Sequence, residues 1–237
     1  MIERPIVIVT GAGSGIGRAA CRRLASAGSR LVLVGRAIEP LRETAGIIGD
    51  GQCFVHAADV SDPQAVPTII DAAVGEWGRI DAIVNNAAVV SPRPLREADA
   101  RWLRDVLGTN VVGPALLIAA AWPIFERQRG GCVVNISSLA TVDPFPGLAA
   151  YAASKSALES LTRSVMNEAR GQGIEGVRAF SILPGAVETA MLRRVVSERD
   201  LPRQRALDPD AVAEVIADCV LGRRDGDVGR AIALPSR

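Results

Sequence analysis

The chain has 237 residues, 49% of them hydrophobic, so it is long and apolar enough to bury one sizeable core. Its 27 basic and 26 acidic residues leave a net charge of +1, which excludes a strong long-range attraction to nucleic acid or to anionic lipid. We therefore expect a single domain spanning residues 1–237, with no nucleic-acid partner.

A short apolar run followed by a helical pattern recurs along the chain. The predicted strands are residues 6–9, 31–34, 53–57, 80–84, 132–136, 177–183 and 231–234. The predicted helices are residues 16–27, 61–77, 98–127, 150–170 and 209–221. Ser61 and Gln64 have the spacing of a capping box, which would begin the second helix. Because each helical crossover returns the chain in the same direction, this alternation predicts an α/β fold, a doubly wound parallel sheet with helices on both faces.

Several features bear on the cellular compartment. The four cysteines form no CxxC pair, which is typical of free thiols in a reducing compartment, and residues 1–5 lack the pattern of a signal peptide. Residues 106–125 carry no charge and match the length of a membrane span, but Gly113 and Pro114 interrupt them. We therefore expect a cytoplasmic protein without a membrane segment, in which this stretch is a core helix.

The first predicted strand ends in a glycine-rich turn that a helix follows at once. Its residues are Thr10, Gly11, Ala12, Gly13, Ser14, Gly15, Ile16 and Gly17. Glycines let the backbone approach a pyrophosphate, and the free N–H groups at the start of a helix favour its negative charge. The turn predicts a dinucleotide site, with an ordinary tight strand-to-helix connection as the alternative.

The end of the second strand bears on which dinucleotide is bound. Sites that select NAD usually carry an acidic residue there, which binds the ribose 2′-hydroxyl. This strand ends instead in Val34, Gly35 and Arg36, and a guanidinium can bind a phosphate in a forked geometry. We therefore favour NADP(H) over NAD(H), which stays possible; in the alternative interpretation Arg36 is a solvated surface charge.

The only tyrosine and the only lysine of the chain, Tyr151 and Lys155, are four residues apart in a predicted helix. This spacing places both side chains on one face of the helix. An ammonium close to a phenol stabilises the phenolate, so Lys155 is expected to lower the pKa of Tyr151 and to fit it for acid/base work near neutral pH. The single histidine, His56, lies in an apolar strand and is interpreted as structural.

Together these motifs resemble the short-chain dehydrogenase/reductase family over nearly the whole chain. The turn at Thr10–Gly17 is similar to the family's cofactor loop, and Tyr151 with Lys155 to its catalytic pair. Ser138 stands 13 residues before the tyrosine, as the family's catalytic serine does, and Asn110 matches its catalytic asparagine. Further matches to cofactor-binding positions are Asp59, Val60, Asn86, Ala87, Pro184, Gly185, Val187 and Thr189.

The resemblance implies a Rossmann-like domain and an NADP(H)-dependent oxidoreductase acting on a carbonyl or a secondary alcohol. Tyr151 would exchange the proton of the substrate oxygen, and Ser138 would orient that oxygen. Lys155 would hold the nicotinamide ribose, and Asn110 would anchor a water that links Lys155 to solvent.

The resemblance also implies a homodimer or a homotetramer, formed through the helices at residues 98–127 and 150–170. Two departures from the family pattern are visible. Ala88 stands where the family usually has glycine after Asn86 and Ala87, and the C-terminal Asp-Gly-Gly that often supports a tetramer is absent.

Apolar residues near the matched positions, Val89, Val90, Leu139, Phe145, Pro146 and Met191, indicate a hydrophobic small-molecule substrate. Two alternatives stay open. One is a catalytically silent NADP-binding regulatory protein on the same fold. The other is a sugar epimerase or dehydratase, which shares the Tyr-x-x-x-Lys pair but usually has a larger C-terminal substrate domain.

Overall fold

The computed structural model of the protein describes residues 4–49 and 51–236. In this part of the chain the strands are β1 (Ile6–Thr10), β2 (Arg30–Gly35), β3 (Cys53–Ala57), β4 (Ala82–Asn85), β5 (Gly130–Ile136), β6 (Gly176–Pro184) and β7 (Ala231–Leu234). They form one sheet in the order β3-β2-β1-β4-β5-β6-β7, with each pair of neighbours parallel. The predicted strands are therefore confirmed, each within two residues at its ends.

The helices connect these strands. They are α1 (Gly15–Ser26), α2 (Ile38–Ile48), α3 (Ala65–Trp77), α4 (Ala100–Leu107), α5 (Gly113–Gln128), α6 (Ala149–Gly171), α7 (Ala190–Arg193) and α8 (Pro209–Val220). The sequence prediction contained neither α2 nor the four-residue α7. In α2 only Leu41 and Thr44 are buried, so its apolar periodicity is too weak to stand out in the sequence.

The predicted capping box at Ser61 and Gln64 is wrong, because α3 begins only at Ala65. The Asp59 carboxylate accepts hydrogen bonds from both the backbone N–H and the hydroxyl of Ser61, at 2.9 and 2.7 Å. Ser61 is thus part of a turn formed by the aspartate, and this local hydrogen bonding competes with helix initiation.

The predicted helix at residues 98–127 is present as one continuous helical run with an irregular middle. Asp99 caps α4 by accepting a hydrogen bond from the Trp102 N–H at 2.7 Å, and a π-helical turn (Gly108–Val112) joins α4 to α5. In the described residues this is the one helix long and apolar enough to cross a membrane. Its inner side packs on the sheet through the fully buried Leu117 and Phe125.

The sheet is buried on both faces, as a doubly wound fold requires. Val7 and Val9 of β1 pack with Leu24 of α1 in one core. Ile8, which points to the opposite face, packs with Leu117 of α5 in the other. The expected fold class is therefore confirmed, with helices on both faces of a parallel sheet.

This topology brings one end of every strand to the same edge of the sheet. That edge is formed by the carboxyl ends of the strands, which include Thr10, Gly35, Asn85, Ile136 and Pro184. The strand order reverses between β1 and β4, and in open α/β sheets such a reversal opens a crevice in which ligands bind. The loops that carry the predicted site residues all leave the sheet at this edge.

We expect Gly113→Ala to lower the free energy of unfolding by roughly 1–3 kcal/mol, because it overpacks a closed contact. A Cβ at Gly113 would lie 2.4 Å from the Val60 carbonyl oxygen, so the loop after β3 would have to move. The matched control is Gly46→Ala in α2, where a Cβ meets open space. Since alanine favours helix, it is expected to raise stability by up to about 1 kcal/mol. Urea denaturation measures both, and equal stability of the two variants would contradict the argument.

Candidate active site

The glycine-rich turn lies between β1 and α1 and forms a backbone cradle. A Cβ at Gly11, where φ is +66°, would lie 2.8 Å from the Asn86 side-chain nitrogen. A Cβ at Gly17 would lie 2.1 Å from the Gly11 carbonyl oxygen, so the start of α1 touches the turn directly. Ser14 precedes α1 without a side-chain cap, which leaves the first N–H groups of the helix for an anion. The turn therefore fits the pyrophosphate of a dinucleotide.

Thr10 and Asn86 hold this turn against the loop that follows β4. The Thr10 hydroxyl donates to the Val84 carbonyl at 3.2 Å and accepts from the N–H groups of Asn86 and Ala87, each at 3.0 Å. The Asn86 side-chain NH₂ donates to the carbonyls of Thr10 and Gly11 at 2.9 and 3.3 Å. Both side chains, expected from the sequence to bind cofactor, therefore bind the protein backbone and shape the crevice.

A cavity of about 190 Å³ opens beside the turn at the ends of β1, β2 and β3. Its walls include Gly11, Ser14, Arg36, Asp59, Val60 and Ala87, all six predicted as cofactor contacts. Gly35, Ala58, Ala88, Val89 and Thr109 complete the lining. None of these five was among the predicted cofactor contacts, because nothing in their residue type marks them as ligands.

The Arg36 side chain stands at the mouth of this cavity and is 69% exposed. Its guanidinium lies 4.0 Å from one carboxylate oxygen of Asp59, while the other oxygen is held by Ser61. β2 does not end in a carboxylate. A phosphate bound at Arg36 would therefore face one negative charge, that of Asp59 just after β3.

Tyr151 and Lys155 lie one turn apart on α6, over the end of β5. Lys155 is only 2% exposed, and its Nζ donates to the Ile136 carbonyl oxygen at 2.7 Å. The same Nζ lies 5.6 Å from the centroid of the Tyr151 ring. Ser138, two residues after Ile136, forms a side-chain hydrogen bond with Tyr151. The structure thus brings the predicted serine, tyrosine and lysine together.

Burial controls the protonation of both titratable groups. It raises the pKa of Tyr151, and the hydrogen bond with Ser138 opposes this only in part. It lowers the pKa of Lys155 to about 7. The predicted lowering of the Tyr151 pKa by Lys155 is therefore wrong: burial raises that pKa, and burial also weakens the positive charge that Lys155 offers to a phenolate near neutral pH.

Asn110 lies in the π-helical turn and is fully buried. Its carbonyl oxygen accepts from the Val89 N–H at 2.8 Å, and its NH₂ donates to the Val89 carbonyl and to the Ser154 hydroxyl, each at 3.0 Å. Ser154 in turn donates to the Tyr151 carbonyl at 2.6 Å. Both amide hydrogens of Asn110 are thus used within the protein, and the water expected at this residue stays a prediction. Ser154, which the sequence reasoning missed, couples Asn110 to the helix of Tyr151.

The loop after β6 closes the other side of the crevice. Pro184 ends β6, and Gly185, Val187 and Thr189 follow it. Thr189 caps α7 by accepting from the Leu192 N–H at 3.2 Å, and its methyl group lies 3.0 Å from the position of a Cβ on Gly15. The loop that carries these four predicted cofactor contacts is therefore packed against the glycine-rich turn.

His56 lies on β3, outside this cluster, where its ring bonds the Thr68 hydroxyl at 3.0 Å. Burial lowers its pKa. Within the described ranges, no group of three or more His, Cys, Asp or Glu residues is placed to hold a metal ion.

Comparison with known proteins gives consistent matches. The sequence profile described as short chain dehydrogenase matches residues 5–200. Sulfoacetaldehyde reductase 2 of Chromohalobacter salexigens is 37% identical over 188 residues, which cover 78% of this chain and 73% of that protein. Meso-2,3-butanediol dehydrogenase of Serratia marcescens is 32% identical over 222 residues, which cover 91% and 86%. The crystal structure of 3-ketoacyl-(acyl-carrier-protein) reductase from Brucella melitensis, complexed with NADH, matches with a TM-score of 0.91 at 29% identity, covering 98% of this chain and 97% of that one.

The single lysine and the single tyrosine allow each protonation state to be measured directly. In protein labelled with ¹³C-lysine, we expect the one side-chain signal to titrate near pH 7, because burial disfavours the ammonium. Absorbance at 295 nm is expected to show no tyrosinate up to pH 10, the ordinary tyrosine pKa. The matched control is the unfolded chain in urea, in which both groups should titrate near their ordinary values. A titration midpoint above 10 for the lysine of the folded protein would contradict the lowering of the Lys155 pKa by burial.

Proposed function

Because the chain belongs to the short chain dehydrogenase family, we propose that it is an NADP(H)-dependent oxidoreductase. In this proposal it transfers a hydride between the nicotinamide and a carbonyl or secondary-alcohol carbon of an apolar small molecule. The observation that carries the proposal is the only lysine, buried one turn from the only tyrosine at the end of β5, with its Nζ 2.7 Å from the Ile136 carbonyl oxygen and 5.6 Å from the centroid of the tyrosine ring.

Tyr151 acts on the substrate oxygen. In the reductive direction its hydroxyl donates a proton to the carbonyl oxygen, and in the oxidative direction the phenolate takes the proton back. Burial keeps the phenol protonated at neutral pH, and this favours the role of general acid. Ser138 donates to the same oxygen and orients it. NADP(H) supplies or accepts the hydride when bound.

The cofactor is held along the crevice. Backbone N–H groups at Ser14–Gly17 take the pyrophosphate, and Asp59 with Val60 takes the adenine. Lys155, in keeping with the family resemblance, takes the nicotinamide ribose. The Brucella melitensis enzyme of similar fold was solved with NADH, so the fold alone does not select NADP(H). The proposed preference for NADP(H) therefore depends on Arg36. The exposed guanidinium can turn toward a 2′-phosphate and form two parallel hydrogen bonds with it.

An apolar rim supports the proposed substrate class. Leu95, Val142 and Phe145 are 67%, 76% and 65% exposed, and they make up half of the exposed large hydrophobic residues in the described chain. Their two loops are joined by a hydrogen bond from the Arg93 N–H to the Gly147 carbonyl at 2.9 Å. Ser138 begins the loop that carries Val142 and Phe145. For this reason we place the rim beside the reacting groups. A substrate with an apolar body would cover this surface.

Turnover of a carbonyl panel with NADPH tests the reaction. We expect kcat/KM to rise along a series of ketones of increasing alkyl length and to exceed the value for small anionic aldehydes, because the rim is apolar. Tyr151→Phe is expected to lower kcat by at least about 10²-fold while leaving NADPH binding intact, since it removes only the proton donor. Near-normal turnover by this variant would refute the role of Tyr151, and faster turnover of anionic aldehydes would refute the substrate class.

The cofactor preference is tested at Arg36. We expect Arg36→Gln to raise the KM for NADPH about 10- to 100-fold and to leave the KM for NADH nearly unchanged, because only NADPH has a 2′-phosphate to lose a charged hydrogen bond. Arg42→Gln is the matched control, since Arg42 is similarly exposed but pairs with Glu39 on α2. An unchanged ratio of the two KM values would show that Arg36 does not select the cofactor.

A further inference from the structure

Three residues at the end of β5 are each bound by a residue of α6. Lys155 Nζ donates to the Ile136 carbonyl, and Ser138 is hydrogen-bonded to Tyr151. Between them, the Ser137 hydroxyl lies 3.0 Å from a carboxylate oxygen of Glu159 and 3.1 Å from the Lys155 carbonyl. Tyr151, Lys155 and Glu159 are spaced four residues apart, so they lie along one side of the helix.

Glu159 has no partner that explains it as an ordinary surface charge. It is partly buried, and in the described chain no Arg or Lys forms an ion pair with it. Its carboxylate is hydrogen-bonded by the hydroxyl of Ser137, which is itself only 2% exposed. The Ser137 hydroxyl has one proton to donate, and the Glu159 oxygen is the nearer of its two acceptors.

We propose that Glu159 is a positioning residue that acts through Ser137 to fix the separation between Ser138 and Tyr151. Ser137 is held from the strand side as well, because its N–H donates to the Ile182 carbonyl at 2.7 Å. The Glu159 bond therefore joins α6 to a residue whose main chain is already held by the sheet. Since Ser138 is the next residue, this bond also holds Ser138 at a set distance from α6 and from Tyr151.

The effect of Glu159 depends on its oxygen as a hydrogen-bond acceptor and not on its charge. The lowered pKa of Lys155 follows from its burial. A glutamine can supply the same acceptor without the charge, whereas a methionine of similar length cannot. The two substitutions at one position therefore separate positioning from electrostatics.

The inference rests on the proposed reaction and is tested with Glu159→Met, Glu159→Gln and Ser137→Ala in the full chain. In Glu159→Met we expect kcat to fall about tenfold and the KM for NADPH to change less than about twofold, because misplacing a catalytic group slows chemistry more than binding. Glu159→Gln should restore kcat to within about threefold of the wild type. Ser137→Ala should match Glu159→Met, and the double variant should be no slower than either single one.

A second readout is independent of turnover. With ¹³Cζ-labelled tyrosine the protein gives one signal, from Tyr151, whose shift at pH 7.5 reports its hydrogen bond with Ser138. We expect this shift to move in Glu159→Met and in Ser137→Ala, and to return in Glu159→Gln. Glu168→Met, an exposed position on the same helix, is the matched control and should leave the shift and kcat unchanged.

The outcomes separate the two proposals. An inactive wild type would refute the proposed function, and the tyrosine signal would then still decide the role of Glu159. An unmoved signal in Glu159→Met, a loss that glutamine does not restore, or additive losses in the double variant would each overturn the positioning role.

Discussion

A buried lysine amino group requires a hydrogen-bond acceptor, and in this fold Lys155 finds the Ile136 carbonyl at the end of β5. That bond fixes where α6 lies over the sheet, and the rest of the site follows from it. Tyr151, one turn earlier, comes to lie beside Ser138, and Glu159, one turn later, reaches Ser137. The parallel sheet makes this possible, because it places the end of β5 at the same edge as the cofactor crevice.

The crevice is shaped by polar side chains that bind other parts of the protein. Thr10 and Asn86 join the glycine-rich turn to the loop after β4, and Asn110 joins the π-helical turn to Val89 and Ser154. Such networks are rigid because each buried polar group would be costly without its partner. The backbone N–H groups at the start of α1 are consequently presented in one fixed geometry.

Burial acts in opposite directions on the two central titratable groups. It keeps the Tyr151 phenol protonated and takes the Lys155 ammonium close to neutrality at physiological pH. The small net charge of the chain fits this arrangement, since attraction of an anionic cofactor then depends on local groups. In the proposed function those groups are Arg36 at the cavity mouth and the N–H groups of the turn. A dimer or tetramer through α4, α5 and α6 stays a prediction. Leu103 and Val112, both on that helical run, are exposed apolar residues.

The sequence by itself determined the doubly wound fold and the strand boundaries, because strand–helix periodicity and glycine turns are local signals. It also singled out Tyr151 and Lys155, since a lone tyrosine and a lone lysine one helical turn apart need no structure to be noticed, whereas Ser138 came from the resemblance to the family. It did not determine α2, whose buried residues are few, or the start of α3, where the Asp59 carboxylate captures Ser61. Only the tertiary structure decided the direction of the Tyr151 pKa, the protein partners of Asn110 and Asn86, and the contact of Glu159 with Ser137. These properties depend on desolvation and on contacts between residues far apart in the chain, which arise only when α6 packs on the end of β5.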